Sequence, residues 1–381
     1  MLIHDPSVLD GLLRAVTPEV GRILDRALDE RELTVDEGTT LLGTTGVDMH
    51  ALTLVADTVR RRRVGDTITF VATRNIQFTN ICYTGCSFCA FAHRADDPLA
   101  YRHDVAEVVR RAVEAHERGA TEVCMQGGLH PEMGLDDYLE MVRAIKAAVP
   151  SMHIHAYSPF EIQYMTKRSQ RDAEYVLRAL KDAGLGSIPG TAAEILDTDV
   201  RRVLTKNKLS AKAWVDIVKT AHRVGLFSTS TIMYGHVDEP HHQAAHIGLI
   251  RDIQRETGGF TEFVPLGFIH DNTALYASGA ARPGPSGLED LRLHAVARLM
   301  LAGFIDHIQV SWVKLGPRLS QIVLCAGADD FGGTLMDETI SKSAGAAHGE
   351  WMKPEGFVRM ICDLGRTPAR RTTNYTIVER F

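Results

Sequence analysis

The sequence predicts an α/β protein, a (β/α)8 barrel of TIM type preceded by a helical extension. Three observations carry that prediction. From about residue 78 to 335, eight β-like segments alternate with helical patterns, which argues a parallel sheet with crossovers. Polar, glycine and aromatic residues cluster at the ends of those segments, the face where barrel sites lie. Before residue 66 the apolar residues recur only at helical spacing, with no strand signal. An open doubly wound sheet is the alternative, but it usually has fewer strands, and no glycine-rich nucleotide fingerprint follows the first strand.

The helical extension covers residues 1–65, where PEVGRILDRALDERE and VDMHALTLVADTVRRRRVG read as helices, and the barrel covers 66–381. TITFVATRNIQFTNI opens the barrel as a lead-in hairpin or strand, with FTNIC as its first short β-like run. DVAEVVRRAVEAHERG reads as a helix over about 104–119, with an Asp start and a Gly stop. TEVCMQGG, HIHAYS, LGSIPGTAAEI, FSTSTIMYG, TEFVPLGFIH and HIQVSWVKLG read as the next strands. The helices between them are LDDYLEMVRAIKAAV, DAEYVLRALKDAG, SAKAWVDIVKTAHRVG, EPHHQAAHIGLIRDIQRETG and GLEDLRLHAVARLMLAG. RLSQIVLCAG leads to the eighth short segment, ADDFGGTL, and a closing helix covers about 354–365. There is no internal repeat.

A chain of 381 residues exceeds one average domain but is ordinary for an α/β barrel. Its 45% hydrophobic and 24% charged residues, with a net charge of -6 and both signs interspersed, exclude the basic footprint of a nucleic-acid binder. The start, MLIHDPSVLDGLL, lacks the charged and apolar regions of a signal peptide, and no apolar run is long enough to span a membrane. A soluble cytoplasmic protein is expected. Glu350, Arg370 and Arg371 read as surface residues.

Three of the six cysteines fall within CYTGCSFC, at Cys82, Cys86 and Cys89. A disulfide framework is not expected in so long a chain without a signal, and clustered thiols point to metal or redox chemistry. One reading is a zinc site completed by His93; another is three inert buried cysteines. A zinc site usually shows two separated ligand pairs, and this run has no distant C-x2-C partner. The third reading is a 4Fe–4S cluster with three irons held by thiolates and the fourth iron open, as a catalytic metal keeps an open position. The C-x3-C-x2-C spacing, with Phe88 just before the third cysteine, resembles the radical S-adenosylmethionine (SAM) superfamily. That resemblance implies SAM chelating the open iron and yielding a 5′-deoxyadenosyl radical.

The strand ends add further candidates. QGGLHP reads on its own as a βα turn; the resemblance implies that Gln126, Gly127 and Gly128 hold the SAM methionyl amine. Glu161 and Glu194 each follow a strand end. They read either as carboxylates at helix N-termini or as ligands of ribose or an amino group. Tyr234, His236 and His270 bring polar and aromatic groups to the same face. Trp312 and Lys314 alternate along the seventh strand, and a lumenal Lys314 would need an anionic partner.

Beyond the cysteines, NIQFTNICYTGCSFCAF, EVCMQGGLHP, HIHAYSPFE, IPGTAAEIL, STIMYGHVDEP, GGFTEFVPL, SWVKLG, GGTLMDETIS and RTTNY together resemble the deazaflavin (FO) synthase family. The likeness spans about residues 68–375 and is stronger to that family's second half or subunit, a tyrosine-using 4-hydroxybenzyl transferase. The futalosine-pathway enzymes of menaquinone synthesis share several segments, and a paralogue with another acceptor is a further alternative. The resemblance implies transfer of the 4-hydroxybenzyl group of L-tyrosine to 5-amino-6-(D-ribitylamino)uracil. It also implies an electron donor and a separate radical SAM partner that closes the ring; those substrates need hydrogen-bonding groups at several strand ends, for which Tyr234, His236, His270 and Lys314 are the candidates. Asp329, Gly267, Ala274 and the TKRSQRDAEY segment depart from the family pattern, and all are expected near substrate loops.

Overall fold

The computed structural model describes residues 6–381, so the first five residues of the helical extension, and most of the stretch read for a signal peptide, lie outside the described residues or lack described side chains. The extension is helical as expected: Pro6–Leu13, Pro18–Leu28, Val35–Leu42 and Gly46–Val64. Thr34 caps the third of these, accepting from the Glu37 amide, while Glu37 returns a carboxylate to the Thr34 amide. Leu24, Leu41, Leu52 and Val55 of these helices join the barrel helices in one continuous apolar cluster.

Ten strands follow: β1 (Thr67–Val71), β2 (Thr73–Ile76), β3 (Glu122–Met125), β4 (His153–Ala156), β5 (Ser187–Ile188), β6 (Phe227–Tyr234), β7 (Phe260–Gly267), β8 (Asp330–Gly333), β9 (Thr367–Arg371) and β10 (Ile377–Arg380). β2 to β7 form a parallel sheet in chain order, and β10-β9-β1-β8 form a second sheet. Two isolated bridges join them: Phe263 to Ile308, and Gln309 to Asp330. Because only Ala72 separates β1 from β2, the strands curl through eight positions into a ring, as the eight alternations predict.

Three expectations are corrected. The first barrel strand is TITFVATRNI, not FTNIC; residues 78–82 carry only isolated bridges and lead directly into the cysteine loop. The seventh position is one bridge deep, and Trp312–Leu315 is a helical turn, so strand alternation does not set the direction of Lys314. The chain does not end on the closing helix, Pro354–Asp363. β9 runs parallel to β1, and Arg371 is 2% exposed rather than on the surface. Glu350 and Arg370 are half-buried.

Arg371 closes the barrel floor. Its guanidinium donates to Asp330 at 2.5 and 3.0 Å and to Glu262 at 3.2 Å. The Tyr375 hydroxyl donates to Glu262 while its ring stacks 3.5 Å from that of His307, and Thr373 donates to Glu122 at 2.5 Å. The carboxylates come from the N-terminal ends of β3, β7 and β8, so one C-terminal segment ties three strands together.

Asp329 also lies at that end. It accepts from Arg298 at 2.6 Å, from His307 at 2.7 Å and from the Ile308 amide at 2.8 Å. This departure from the family pattern is a buried structural ion pair, not a residue of a substrate loop. Gly267 does line the second cavity described below, and Ala274 opens a short helix whose Leu275 amide donates to Ser87 of the cysteine loop at 2.8 Å.

Candidate active site

The cysteine loop is clamped from several sides. Ser87 donates through its hydroxyl at 2.6 Å, and through its amide at 3.1 Å, to the Leu204 carbonyl, and it accepts from Leu275. The Cys82 amide donates to His93 O at 3.0 Å and the Tyr83 amide to Leu129 O at 3.3 Å. Cys82, Cys86 and Cys89 are half-buried free thiols. Among the described residues no three His, Cys, Asp or Glu side chains converge on a single metal ion. His93 instead turns its Nδ1 to Asp97 at 3.0 Å, which disfavours the zinc reading. Three soft thiols on one loop fit a cluster that spreads its ligands over separate irons.

The glycine turn supports this loop more than it offers free donors. A Cβ on Gly128 would lie 2.3 Å from the Ile81 carbonyl oxygen, and one on Gly127 would lie 2.6 Å from the Phe78 ring. The Gly128 amide donates to Thr79 O at 2.8 Å and the Gly127 amide to Glu161 at 3.1 Å. Only carbonyls of this turn remain for a ligand's amine. Gln126 reaches the lumen, accepting from Thr191 at 3.0 Å.

Glu161 is the third residue of the helix Pro159–Ser169 and closes a capping box with Ser158. Its second oxygen holds the glycine turn, and burial raises its carboxyl to about 7. Glu194 has a different setting. Asp197, not Glu194, caps the following helix, while Glu194 adopts a left-handed φ of 42° and accepts from Lys208 at 2.5 Å. Lys208 sits 4.8 Å over the Phe88 ring. Burial pulls its ammonium down, but Glu194 and the Cys86 sulfur more than offset that, so its pKa is raised. The sequence reading missed Lys208. Its signal was a lysine six residues beyond the Arg201-Arg202 pair in a helix-to-loop stretch, which no periodicity distinguishes from a solvated one.

A cavity of about 250 Å³ fills the barrel. Side-chain alternation lines it: Asn75 and Gln77, Glu122, Cys124 and Gln126, Thr229 and Thr231, then Glu262, Val264 and Leu266. These were legible as polar residues at every second position in strands that, if buried on both faces, should be continuously apolar. Lys314 stands where this cavity meets a second one of about 240 Å³ that His270 also lines. Its ammonium has one hydrogen bond, to Ser341 at 3.3 Å, and burial lowers its pKa.

Tyr234 and His236 point away. The Tyr234 hydroxyl meets Asp290, and His236 Nε2 donates to Met233 O at 2.9 Å while its Nδ1 accepts from the Val237 amide at 2.7 Å. Neither lines either of these two cavities. The structure therefore brings together the cysteines, Phe88, Glu194 and Lys208 at the mouth, Gln126 below them, and Lys314 with His270 across the lumen.

Residues 76–249 match the radical SAM superfamily, and residues 257–380 match the CofH/MqnC C-terminal region. A 5-amino-6-(D-ribitylamino)uracil–L-tyrosine 4-hydroxyphenyl transferase of Methanothermobacter thermautotrophicus is 49% identical over 360 residues, 94% of this chain and 97% of the relative. Its counterpart in Methanopyrus kandleri is 51% identical, over 91% of this chain and 94% of the relative. The FO synthase of Mycobacterium tuberculosis is 56% identical over 87% of this chain, but the match spans only 39% of that longer protein. Among solved structures, methylornithine synthase superposes with a TM-score of 0.72 at 19% identity, covering 91% of this chain and 97% of the other. The hydrogenase maturase HydG superposes at 0.74 and 14% identity, over 98% and 82%. At those identities the likeness is one of fold.

Proposed function

The chain belongs to the radical SAM superfamily, in the family of the FO synthases and the archaeal tyrosine 4-hydroxyphenyl transferases, and from that premise we propose that it transfers the 4-hydroxybenzyl group of L-tyrosine to C5 of 5-amino-6-(D-ribitylamino)uracil. The observation that carries the reading is the near full-length agreement with the archaeal transferases, at about half identity across both the cysteine loop and the C-terminal lumen wall. The bound 4Fe–4S cluster and SAM supply a 5′-deoxyadenosyl radical.

The chain's own residues do the rest. Cys82, Cys86 and Cys89 hold three irons. Phe88, Glu194 and Lys208 form the wall beside them, and the carbonyls of Gln126, Gly127 and Gly128 would hold the SAM amine. Lys314, half-buried with one weak hydrogen bond and only the charge of Glu338 near it, takes the tyrosine carboxylate, since a partly desolvated ammonium favours an anion. His270 borders the same cavity and orders the donor side. The floor sealed by Arg371 and Tyr375 keeps water from the radical. We place ring closure on a second radical SAM unit and the reducing electron on a separate donor protein. No helix among the described residues is long and apolar enough to cross a membrane. The free thiols suit a reducing compartment, and we place the protein in the cytoplasm.

The test is anaerobic incubation of reconstituted protein with SAM, dithionite, tyrosine and the ribitylaminouracil. Benzylated uracil, with deoxyadenosine formation that depends on tyrosine, is expected. Deoxyadenosine formation indifferent to tyrosine overturns the reading.

A further inference from the structure

The lower lumen carries hydrogen-bonding groups that neither the cluster, nor SAM, nor the tyrosine carboxylate uses. His155 is 6% exposed; its Nδ1 shares a hydrogen with Ser187 Oγ at 2.7 Å, and its Nε2 has no partner in the protein. Glu262 is equally buried; one carboxylate oxygen holds Arg371 and Tyr375, and the other has none. The half-buried Gln309 donates its backbone amide to Phe263 O at 3.0 Å, while its side-chain amide opens onto the cavity without a protein partner. All three side chains line the cavity, together with Glu122. Buried polar atoms are as a rule satisfied, so these are set to meet something that enters.

The chemistry of the floor narrows what that is. No cation is free there, because Arg371 is consumed by Asp330, Glu262 and the Thr372 carbonyl. That excludes a phosphate or carboxylate. Apart from the His155 imidazole, the aromatic side chain lining this cavity among the described residues is Trp312, on the 312–315 turn, which argues against a ring stacked at the bottom. What remains is a row of acceptors and one amide, spaced around a narrow tube. A chain of neutral hydroxyls, each able to donate and accept, matches that row.

We infer that the barrel floor, through His155, Glu262, Gln309 and Glu122, is the binding site for the polyhydroxyl chain of the acceptor, which enters tail first and leaves its ring toward the mouth. This deepens the proposed function and rests on it, since of the two proposed substrates only the ribitylaminouracil carries consecutive hydroxyls. The register supports the depth. His155 lies level with Cys124 and below Gln126, so a tail at this level sets the attached ring near Gln126 and Thr191, beneath the cysteine loop.

The experiment measures KM for two acceptors, the natural compound and 5-amino-6-(methylamino)uracil, which lacks the polyol. Wild type is compared with Gln309→Leu and His155→Gln, with KM for tyrosine as the internal reference. Each replacement is expected to raise KM for the natural acceptor roughly tenfold, the size of one lost buried hydrogen bond. Each should leave KM for the truncated acceptor, already raised in wild type, within about twofold, and KM for tyrosine should move far less. Equal KM values for the two acceptors in wild type, or variants that weaken both acceptors alike, overturn the inference. The Gln309 side chain makes no hydrogen bond within the protein, its backbone amide being the group that donates to Phe263 O at 3.0 Å, so its replacement tests the site even if His155→Gln folds poorly. If wild type forms no benzylated product at all, the proposed function fails first, and that is visible before any variant is made.

Discussion

Lys208 and Glu194 form a buried ion pair at 2.5 Å, directly behind the ring that precedes Cys89. At 9% side-chain exposure Lys208 depends on Glu194 as its ionic partner, whereas Glu194 also meets Arg201 at 3.5 Å, so removing Glu194 strands more charge than removing Lys208. Glu194→Ala is expected to cost about 3–5 kcal/mol in denaturant unfolding, and Lys208→Met less, because a long apolar stem still fills the space over Phe88 and Phe160. Equal losses for the two would count against this account.

Cys86→Ala is expected to abolish both the cluster absorbance and SAM cleavage while leaving far-ultraviolet circular dichroism unchanged. The loop's short clamps run through Ser87, Cys82 N and Tyr83 N, and the Cys86 sulfur adds only long contacts, to the Thr205 hydroxyl at 3.5 Å and the Thr84 hydroxyl at 3.8 Å. Persistent SAM cleavage would refute the cluster assignment.

Gly128→Ala should act on the same readout by a different route. The added methyl would sit 2.3 Å from a backbone oxygen of Ile81, which cannot rotate away, so the cysteine loop must move. Reconstitution should yield little iron with the barrel still folded. Gly127→Ala meets only the Phe78 ring and is expected to be milder. Iron and sulfide content per chain measures both.

Lys314→Met is expected to raise KM for tyrosine by about one to two orders of magnitude, with little change in KM for SAM, because a charge-assisted hydrogen bond is lost. Because the ammonium is already held below its usual pKa by burial, removal of the charge should stabilise the substrate-free protein slightly. A variant that loses tyrosine and SAM affinity together would mean that Lys314 acts on the mouth as a whole.

Acid should unfold the protein partly through His246. Its Nδ1 accepts from the Leu196 amide at 3.1 Å and its Nε2 donates to Thr231 O at 2.9 Å, so the ring must be neutral, and burial lowers its pKa to about 3. The folded pKa is below the unfolded one. Stability is therefore complete above about pH 6.5 and is lost as pH falls toward 3, by up to about 1.4 kcal/mol per unit from this group. His246→Gln, which can keep both hydrogen bonds, should flatten the fall of urea stability between pH 6.5 and 4.5. An unchanged slope would remove His246 from the account.

The alternation of elements was legible because many of the helices carry their own cap and stop, as at Asp104 with Gly119 and Ser286 with its Glu289 box. The cysteine loop was legible because its chemistry is local in sequence. The lumen was less so. Tyr234 and His236 were drawn to the site by residue type, yet β6 alternation turns Tyr234 outward and Thr231 inward. Lys208, Arg371 and Tyr375 act through partners 14 to 113 residues away, such as Glu194 and Glu262. No window of sequence contains both halves of such a pair.

The C-terminal closure has a kinetic consequence. With Arg371, Thr373 and Tyr375 sealing one end, traffic passes through the other, beside the cysteine loop. Ligands would then queue: whatever occupies the deepest position must arrive first and leave last, and on the proposed site SAM would close the path behind it. A compulsory binding order is the expected outcome, with initial rates that fall when SAM is loaded before the other substrates.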